Sequence, residues 1–536
     1  MPSVSKSSPA VKGTRLTVSQ VLVIAAASEH CLAIEQLLRQ PLRESLDELI
    51  RIVLRFVAAS PTPQGMWEFE RGVADLLRRA GCIVTQYAIN QFEPEDACQM
   101  PSRLRRGSEE FSRKGCQTRH RGGVACLFGM IELRRWSYEP LSEEREAGLR
   151  SIAPLVEQLG IVGGKATPAL SEVIGRLAQE RSESSVGEFL EREHGVQLCA
   201  KTVCKIRDAV AQGISEHLHE QQVQLLLEAV RAGRGQGQVI LAVGRDGIFV
   251  PLRGVQDDRW KEAAVGTVSV YVKPRRGKTR RLCTAYLGQM PKPGQEELSD
   301  NLTALLQQVL LDDSARDIRL VYVTDAGHHP QDYFKRVLQN MDDPQRPGKK
   351  FAWTWVVDFF HACGRLNQLA DALFHDAATA IAWVRRMRHT LKHEPNAVHK
   401  ILHSAIALRP KTLRGKAKEN YEAAYNYLLN HRGGMDYAAY RKQHLPIGSG
   451  VTEAACKTVF TQRFKCSGMI WGRDDDFDHR DPDAVLTGAR SVLTLRLAVL
   501  SRVWPAVFQA YLSTTTATAK SLTRSQFPGL STRKAA

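Results

Sequence analysis

The sequence predicts a multidomain α+β protein: a helical N-terminal region carrying a helix-turn-helix, then an α/β core with an all-helical insertion. Two observations predict this. The chain has 536 residues, more than a single hydrophobic core usually organises. Its texture also changes at Gly233-Arg234-Gly235-Gln236-Gly237, from helix-spaced apolar residues to short apolar runs of strand character, so this joint reads as the clearest domain boundary.

Composition narrows the class. Hydrophobic residues at 43% and charged residues at 24% describe a globular chain with a sizeable core. Lys and Arg outnumber Asp and Glu by 74 to 57, a net charge of +17. Such an excess suits a polyanionic partner, whose encounter the positive field accelerates; general solubility is the plainer alternative. The 11 cysteines lack framework spacing and fit free thiols in a reducing compartment. The apolar run at 21–27 is too short to span a bilayer and is followed by no cleavage pattern, so neither a membrane span nor a signal peptide is expected.

Along the chain, residues 1–14 and 513–536 read as polar tails. Residues 15–150 read as a helical region, with Phe69, Val73, Leu76 and Leu77 at helical spacing, plus a small β segment at 124–127 and 130–136. Apolar and basic residues alternate over 130–136, which suits one face on a core and one on a phosphate backbone; a half-exposed hairpin gives the same pattern. Residues 151–232 carry a helix-turn-helix outline: an amphipathic helix at 184–193, a break at His194-Gly195, and a second helix from Cys199. Val203, Ile206 and Val210 form its apolar face. Lys201, Thr202, Lys205 and Arg207 lie outward, residue types suited to phosphates and base edges. A plain helical hairpin is the alternative.

After the joint, the strand run 239–243 leads to Asp246, and 248–252, 265–272 and 282–287 continue as strands. A helix is expected over 296–311, a buried strand over 318–324 delivers Asp325, a helix starts near Gln331, and a strand at 355–357 ends at Asp358. Three extended segments, then helix, strand, helix and strand, is the order of an RNase H-like core over 238–361. Residues 362–444 read as all-helical, and 445–512 complete the core with a helix opened by Gly448-Ser449-Gly450 and carrying Glu453.

These carboxylates suit phosphodiester chemistry. Such a transfer needs an attacking oxygen, a leaving oxygen and positive charge held in line between them. Two divalent ions, Mg²⁺ or Mn²⁺, about 3.5–4 Å apart supply that charge and prefer carboxylate ligands. Asp246 and Asp325 are expected at strand ends facing a crevice, 325−246=79 positions apart. Glu453 is expected one turn inside a helix whose N-cap is Ser449, on a face shared with Lys457, Thr461 and Lys465. That face would hold a metal at its start and lie along a DNA backbone beyond it, with Arg463 beside it as a further DNA contact. Singly, each acid reads as a turn former or a solvated helix residue. The ordered set on a strongly basic chain is what points to catalysis.

Four blocks make the chain resemble the Kra-type group of bacterial insertion-sequence DDE transposases, distantly similar in plan to the Mutator and hAT superfamilies. They are 243–253, reading Val-Gly-Arg-Asp-Gly-Ile-Phe-Val-Pro-Leu-Arg; 260–268, opened by Trp-Lys-Glu; 358–362, Asp-Phe-Phe-His-Ala; and 445–469, opened by Leu-Pro-Ile-Gly-Ser-Gly-Val-Thr-Glu. The resemblance covers roughly 239–505, more weakly the helix-turn-helix. It implies an RNase H-like core with an all-helical insertion, catalytic and metal-binding acids at Asp246, Asp325 and Glu453, and an Asp-x-x-His element at Asp358 and His361 that positions DNA or orients a catalytic acid. It further implies double-stranded DNA as partner (element ends and target), a homodimer or larger assembly for synapsis, and a nucleoid-associated place in bacterial cytoplasm. Two departures stand out. Cys116 and Cys126 lack a second cysteine pair, so no structural zinc is expected there, and Asp474 to Asp481 form an acidic insertion, read as a solvated loop.

Other signals are weaker. His389/His393 and His399/His403 stand at helical spacing without the glutamate of a metalloprotease motif, and no Walker-type loop suggests ATP use. A structure-selective nuclease and a DNA-binding regulator without catalysis are the competing readings.

Overall fold

The computed structural model describes residues 28–93, 96–106, 109–117, 123–141, 151–252, 260–472 and 487–526; the acidic insertion lies outside them. The chain divides into two compact units: 1–171 with 187–202 and 512–536, and 172–186 with 203–511. Among the described residues no single helix is long and apolar enough to cross a membrane.

The first unit opens with two long helices, α1 (Ser28–Ala58) and α2 (Pro63–Asn90), joined by a short link. Thr62 caps α2 by accepting from the Gly65 N–H, and Pro63 occupies the first helical position, where its missing N–H costs nothing. Phe56 and Phe69 stack across the pair at 4.4 Å. Five short strands follow: β1 (Arg103–Arg106), β2 (Glu109–Gln117), β3 (Val124–Cys126), β4 (Gly129–Ile131) and β5 (Arg135–Pro140). They make a three-stranded sheet ordered β1-β2-β5 and a β3-β4 hairpin. The stretch 130–136 follows the half-exposed alternative: Ile131, Leu133, Arg135 and Trp136 are buried, while Glu132 is exposed and Arg134 half-buried.

Next come α3 (Pro154–Gln158), α4 (Pro168–Ala178), α5 (Glu183–His194) and α6 (Ala200–Arg234). The helix, Gly195-containing break and second helix stand where the sequence places them. The second helix, however, runs unbroken for 35 residues to Arg234. The glycine joint is accordingly no loose linker: Gly233 is buried, and a Cβ there would lie 3.0 Å from Val239. Lys201 and Lys205 are exposed and Thr202 half-buried. Arg207 departs from expectation: it is buried, pairing with Glu183 and Asp208, and so holds the helices instead of facing outward.

The second unit is built on a five-stranded sheet of β6 (Gly237–Pro251), β7 (Trp260–Pro274), β8 (Arg280–Gln289), β9 (Arg319–Thr324) and β10 (Trp353–Val357), in the order β10-β9-β6-β7-β8. β6, β7 and β8 are antiparallel, while β9 and β10 run parallel to β6. α7 (Glu296–Leu311) and α8 (His328–Arg336) flank β9 in the chain. Strand side chains alternate between faces. Val239, Leu241, Val243, Leu320 and Tyr322 therefore pack with α6, α7 and α8, whereas Ile240, Val321 and Val323 join a second core. That core holds α9 (Phe359–Leu373), α10 (Ala377–His393), α11 (Ala397–Ala407), α12 (Gly415–His431) and α13 (Tyr437–Lys442), the helical segment expected over 362–444.

The chain then forms α14 (Gly450–Ala455), a π-helical stretch (Cys456–Thr461) and a last turn (Gln462–Phe464), followed by α15 (Thr487–Leu500) and α16 (Trp504–Gln526). α16 thus continues well past Leu512, where the sequence reading began a tail. A third core joins the π stretch to β6, β7 and α15 through Val250, Val265, Val459, Phe460 and Val492.

In the first unit Glu93 is buried, and burial pushes its carboxyl up to about 7. A raised folded-state value means the folded state holds the proton that the unfolded chain has already released. The stabilising neutral form is fully present below the unfolded value and is lost as pH rises through about 7. Glu93→Gln is therefore expected to flatten the fall in melting temperature between pH 5 and 8, measured by thermal denaturation against pH.

Candidate active site

β6 is one continuous strand through Pro251, so Asp246 sits within a strand and not at its end. What ends there is its parallel neighbour. β6 pairs with β9 up to Gly244 opposite Val323, and β9 pairs with β10 up to Thr324 opposite Val357. Carrying each register forward puts Asp246, Asp325 and Asp358 at one level across three adjacent strands, which lie about 4.8 Å apart. Beyond that level β6 continues to Pro251 after its pairing with β9 has ended. Alternation then assigns faces: Gly244 meets Thr452 of α14 and Asp246 meets Cys456, while Arg245 points the other way. There Arg245 bonds Ser299 Oγ at 2.8 Å and lies over the Tyr333 ring.

Each acid is fixed differently. Asp246 accepts from the Gly247 N–H at 2.8 Å and from the Cys456 thiol at 3.4 Å. Burial raises its carboxyl above the usual range, and the negative charges of Asp325 and Glu453 push it the same way. Burial and Asp246 likewise raise Cys456 far above an ordinary thiol, so it stays protonated and donates. Asp325 follows β9 directly. Its Oδ1 accepts from the Gly327 N–H at 2.9 Å, and Ala326 between them turns the chain at φ 64°. Its carbonyl accepts from Tyr427 of α12 at 2.6 Å, and Arg365 lies over that ring at 4.6 Å. Glu453 is half exposed, with Ser449 Oγ 2.7 Å from its Oε1.

Asp358 is the buried member. It caps α9, its Oδ1 accepting from the His361 N–H at 2.7 Å, while Oδ2 accepts from the backbone N–H and hydroxyl of Ser449. Its own N–H donates to Thr324 O at 2.7 Å, and Phe359 N–H donates to Ile447 O at 2.9 Å. Ser449 precedes α14 as expected, but its hydroxyl serves these carboxylates instead of capping the helix.

The charges of Asp325 and Glu453 both act on Asp246, and His361 Nε2 lies 3.5 Å from Glu453 Oε1. Among the described residues, the three side chains whose donor atoms all lie within 4.8 Å of one another are Asp358, His361 and Glu453. A cluster of carboxylate and imidazole donors of this kind suits a divalent cation.

One sequence-derived DNA contact here is corrected. Arg463 is buried, bonds Arg181 O at 3.0 Å and lies over Trp471, so it is a packing residue. The expected face 453–457–461–465 is broken as well. A π turn carries more residues than an α turn, so four-residue spacing ceases to mark one face across Cys456–Thr461. Lys457 remains exposed, and Lys465 lies over the Trp260 ring at 5.2 Å. Sequence reasoning missed Gly244, Cys456, Thr267 and Tyr427. Only Gly244 carried a signal, being a glycine inside an apolar strand run.

Gly244 is where α14 seats: a Cβ there would lie 1.9 Å from Thr452 Oγ1, whose hydroxyl shares a 2.8 Å bond with Thr267. Gly244→Ala is expected to destabilise the protein by about 1–3 kcal/mol. Adding Thr452→Ala should recover part of that loss, a non-additivity read from urea unfolding of both single variants and the double. Asp246→Asn is expected to raise the melting temperature of metal-free protein at pH 7–8. The gain should shrink as pH falls toward the ordinary carboxylate range, since a raised value penalises only the charged form.

Comparison of the chain with protein-family models and with curated proteins returns no match in either.

Proposed function

We propose that this chain is a DDE-type DNA transposase of the RNase H-like class. It would cut DNA at the terminal inverted repeats of an insertion sequence and join the freed ends to target DNA. The observation that carries the reading is the level placement of Asp246 and Asp325 on adjacent parallel strands, with Glu453 brought to them on a helix seated against Gly244. The order β10-β9-β6-β7-β8, three antiparallel strands followed by two parallel ones, is the connectivity expected of an RNase H-like core.

Asp246, Asp325 and Glu453 would hold two divalent ions, Mg²⁺ or Mn²⁺. Their fit rests on the acids gathered here: burial raises Asp246, and the negative charges of Asp325 and Glu453 raise it further. Such ions supply positive charge to the attacking and leaving oxygens of an in-line displacement. The protein's own part is placement. Gly247 N–H and the Cys456 thiol fix Asp246, Gly327 N–H and the Tyr427 contact fix Asp325, and Ser449 orients Glu453. A water oxygen attacks in cleavage and the freed 3′-hydroxyl in joining, with no covalent protein–DNA species. Lys201, Thr202 and Lys205 supply DNA contacts from the helix-turn-helix, Lys457 and Lys465 from the region beyond Glu453. Bringing two element ends together calls for at least two copies of the chain.

The test is a cleavage and joining assay on duplexes carrying the inverted repeats that flank the coding region. Asp246→Asn, Asp325→Asn and Glu453→Gln should each lower cleavage by about a thousandfold or more, several kcal/mol of lost charge stabilisation. Joined product separates a transposase from a nuclease, and unchanged function in Asp246→Asn would instead indicate a regulator. Lys201→Ala and Lys205→Ala should each weaken DNA binding and reduce the slope of log affinity against log salt by about one.

A further inference from the structure

We infer that His361 is itself a metal ligand, so that one ion at this site rests on an imidazole together with carboxylates. The inference depends on the metal-dependent reading above and specifies one of its sites. Glu453 supplies the paired oxygen and Asp358 a third donor, all three within 4.8 Å of one another.

The distance is the first argument. His361 Nε2 and Glu453 Oε1 stand 3.5 Å apart, beyond the usual 2.7–3.2 Å of a nitrogen–oxygen hydrogen bond. Two ligands held about 2.0–2.2 Å from one ion at 90–110° lie about 2.8–3.6 Å apart, which includes the observed gap. The second argument is that the placement is built. Asp358 caps α9 by accepting from the N–H of His361, the third helical residue, and the same short span keeps the imidazole near the capping carboxylate. Across the gap, Ser449 Oγ is 3.0 Å from Asp358 Oδ2 and 2.7 Å from Glu453 Oε1. One hydroxyl has one proton; Asp358 Oδ2 also accepts from the Ser449 N–H, so when the hydroxyl turns to Asp358 it is Glu453 Oε1 that loses this donor. Asp358 Oδ1 accepts one bond and keeps a second lone pair.

Access is the third argument. The side chains of His361 and Glu453 are each 47% exposed, open enough for a hydrated ion and a phosphate oxygen to reach them. An imidazole ligand shifts preference from Mg²⁺, which favours oxygen alone, toward first-row transition ions.

The probe is Mn²⁺ on the full-length protein, read by pulsed electron paramagnetic resonance. The expected result is ¹⁴N modulation from a directly bound imidazole. It should vanish in His361→Gln and persist in His329→Gln, with Mn²⁺ affinity falling at least about tenfold in the first and Mg²⁺ affinity changing less. Histidine-specific ¹⁵N labelling of the wild type should change the modulation, so ligation by histidine is read even where a variant fails to fold. Mn²⁺ bound without nitrogen modulation, modulation that survives in folded His361→Gln, or no saturable Mn²⁺ binding would each overturn the inference. DNA cleavage with Mn²⁺ but no nitrogen signal would sink the ligand assignment alone; a nitrogen signal without cleavage of element-end DNA would sink the transposase reading alone.

Discussion

A carboxylate with no solvent contact must have its charge met by donors, and Asp358 is such a group. It collects the His361 N–H, the Ser449 N–H and the Ser449 hydroxyl, while its own N–H holds the end of β9 through Thr324 O. Those bonds join β9, β10, the start of α9 and the loop before α14. The two sides of the clamp are 91 residues apart in sequence, separated by the whole helical insertion. The insertion therefore leaves and returns at one point. Glu453, one turn beyond Ser449, inherits its position from that point. Removing one partner of a buried charge leaves the rest unsatisfied, so this junction is the part of the site least tolerant of change.

The sheet supplies the second constraint. Strand alternation gives Gly244 and Asp246 to one face and Arg245 to the other, so a single strand both seats the Glu453 helix and presents an acid to it. Close seating needs the missing Cβ of Gly244 and the Thr267–Thr452 bond. Immediately after, the helix widens into a π stretch that turns Cys456 toward Asp246. Such insertions frequently accompany functional sites, because they re-aim side chains without breaking the helix.

Much of this was legible in the sequence because it is local. Helix α7 lies where its apolar spacing puts it, and β9 delivers Asp325 after an apolar run. What escaped is set by long-range packing. Arg207 and Arg463 read as DNA contacts because arginine is usually exposed. Each is buried instead by partners that pattern alone does not reveal: Glu183 and Asp208 for one, the Arg181 carbonyl and Trp471 for the other. The strand break read after Asp246 failed because Gly247 resembles a turn residue. It lies in the ladder opposite Ala264, its bare Cα leaving room for Glu262.

Metal-free, the site works against the fold that builds it. Asp246 is buried beside Asp325 and Glu453, and the groups nearest it that favour its charge are a backbone N–H and a thiol that stays protonated. Beyond burial, the charges of Asp325 and Glu453 raise Asp246 further, against the pull of the Gly247 N–H and the Cys456 thiol. A lysine there would relieve the repulsion and would also occupy the place where an incoming ion or phosphate must sit. Like charges crowded against a buried carboxylate are the arrangement expected of a pre-organised cation site, where the binding ion offsets a cost that the folded protein otherwise carries. On this argument the electrostatic cost at Asp246 and the proposed chemistry are one feature, seen without the cation and with it.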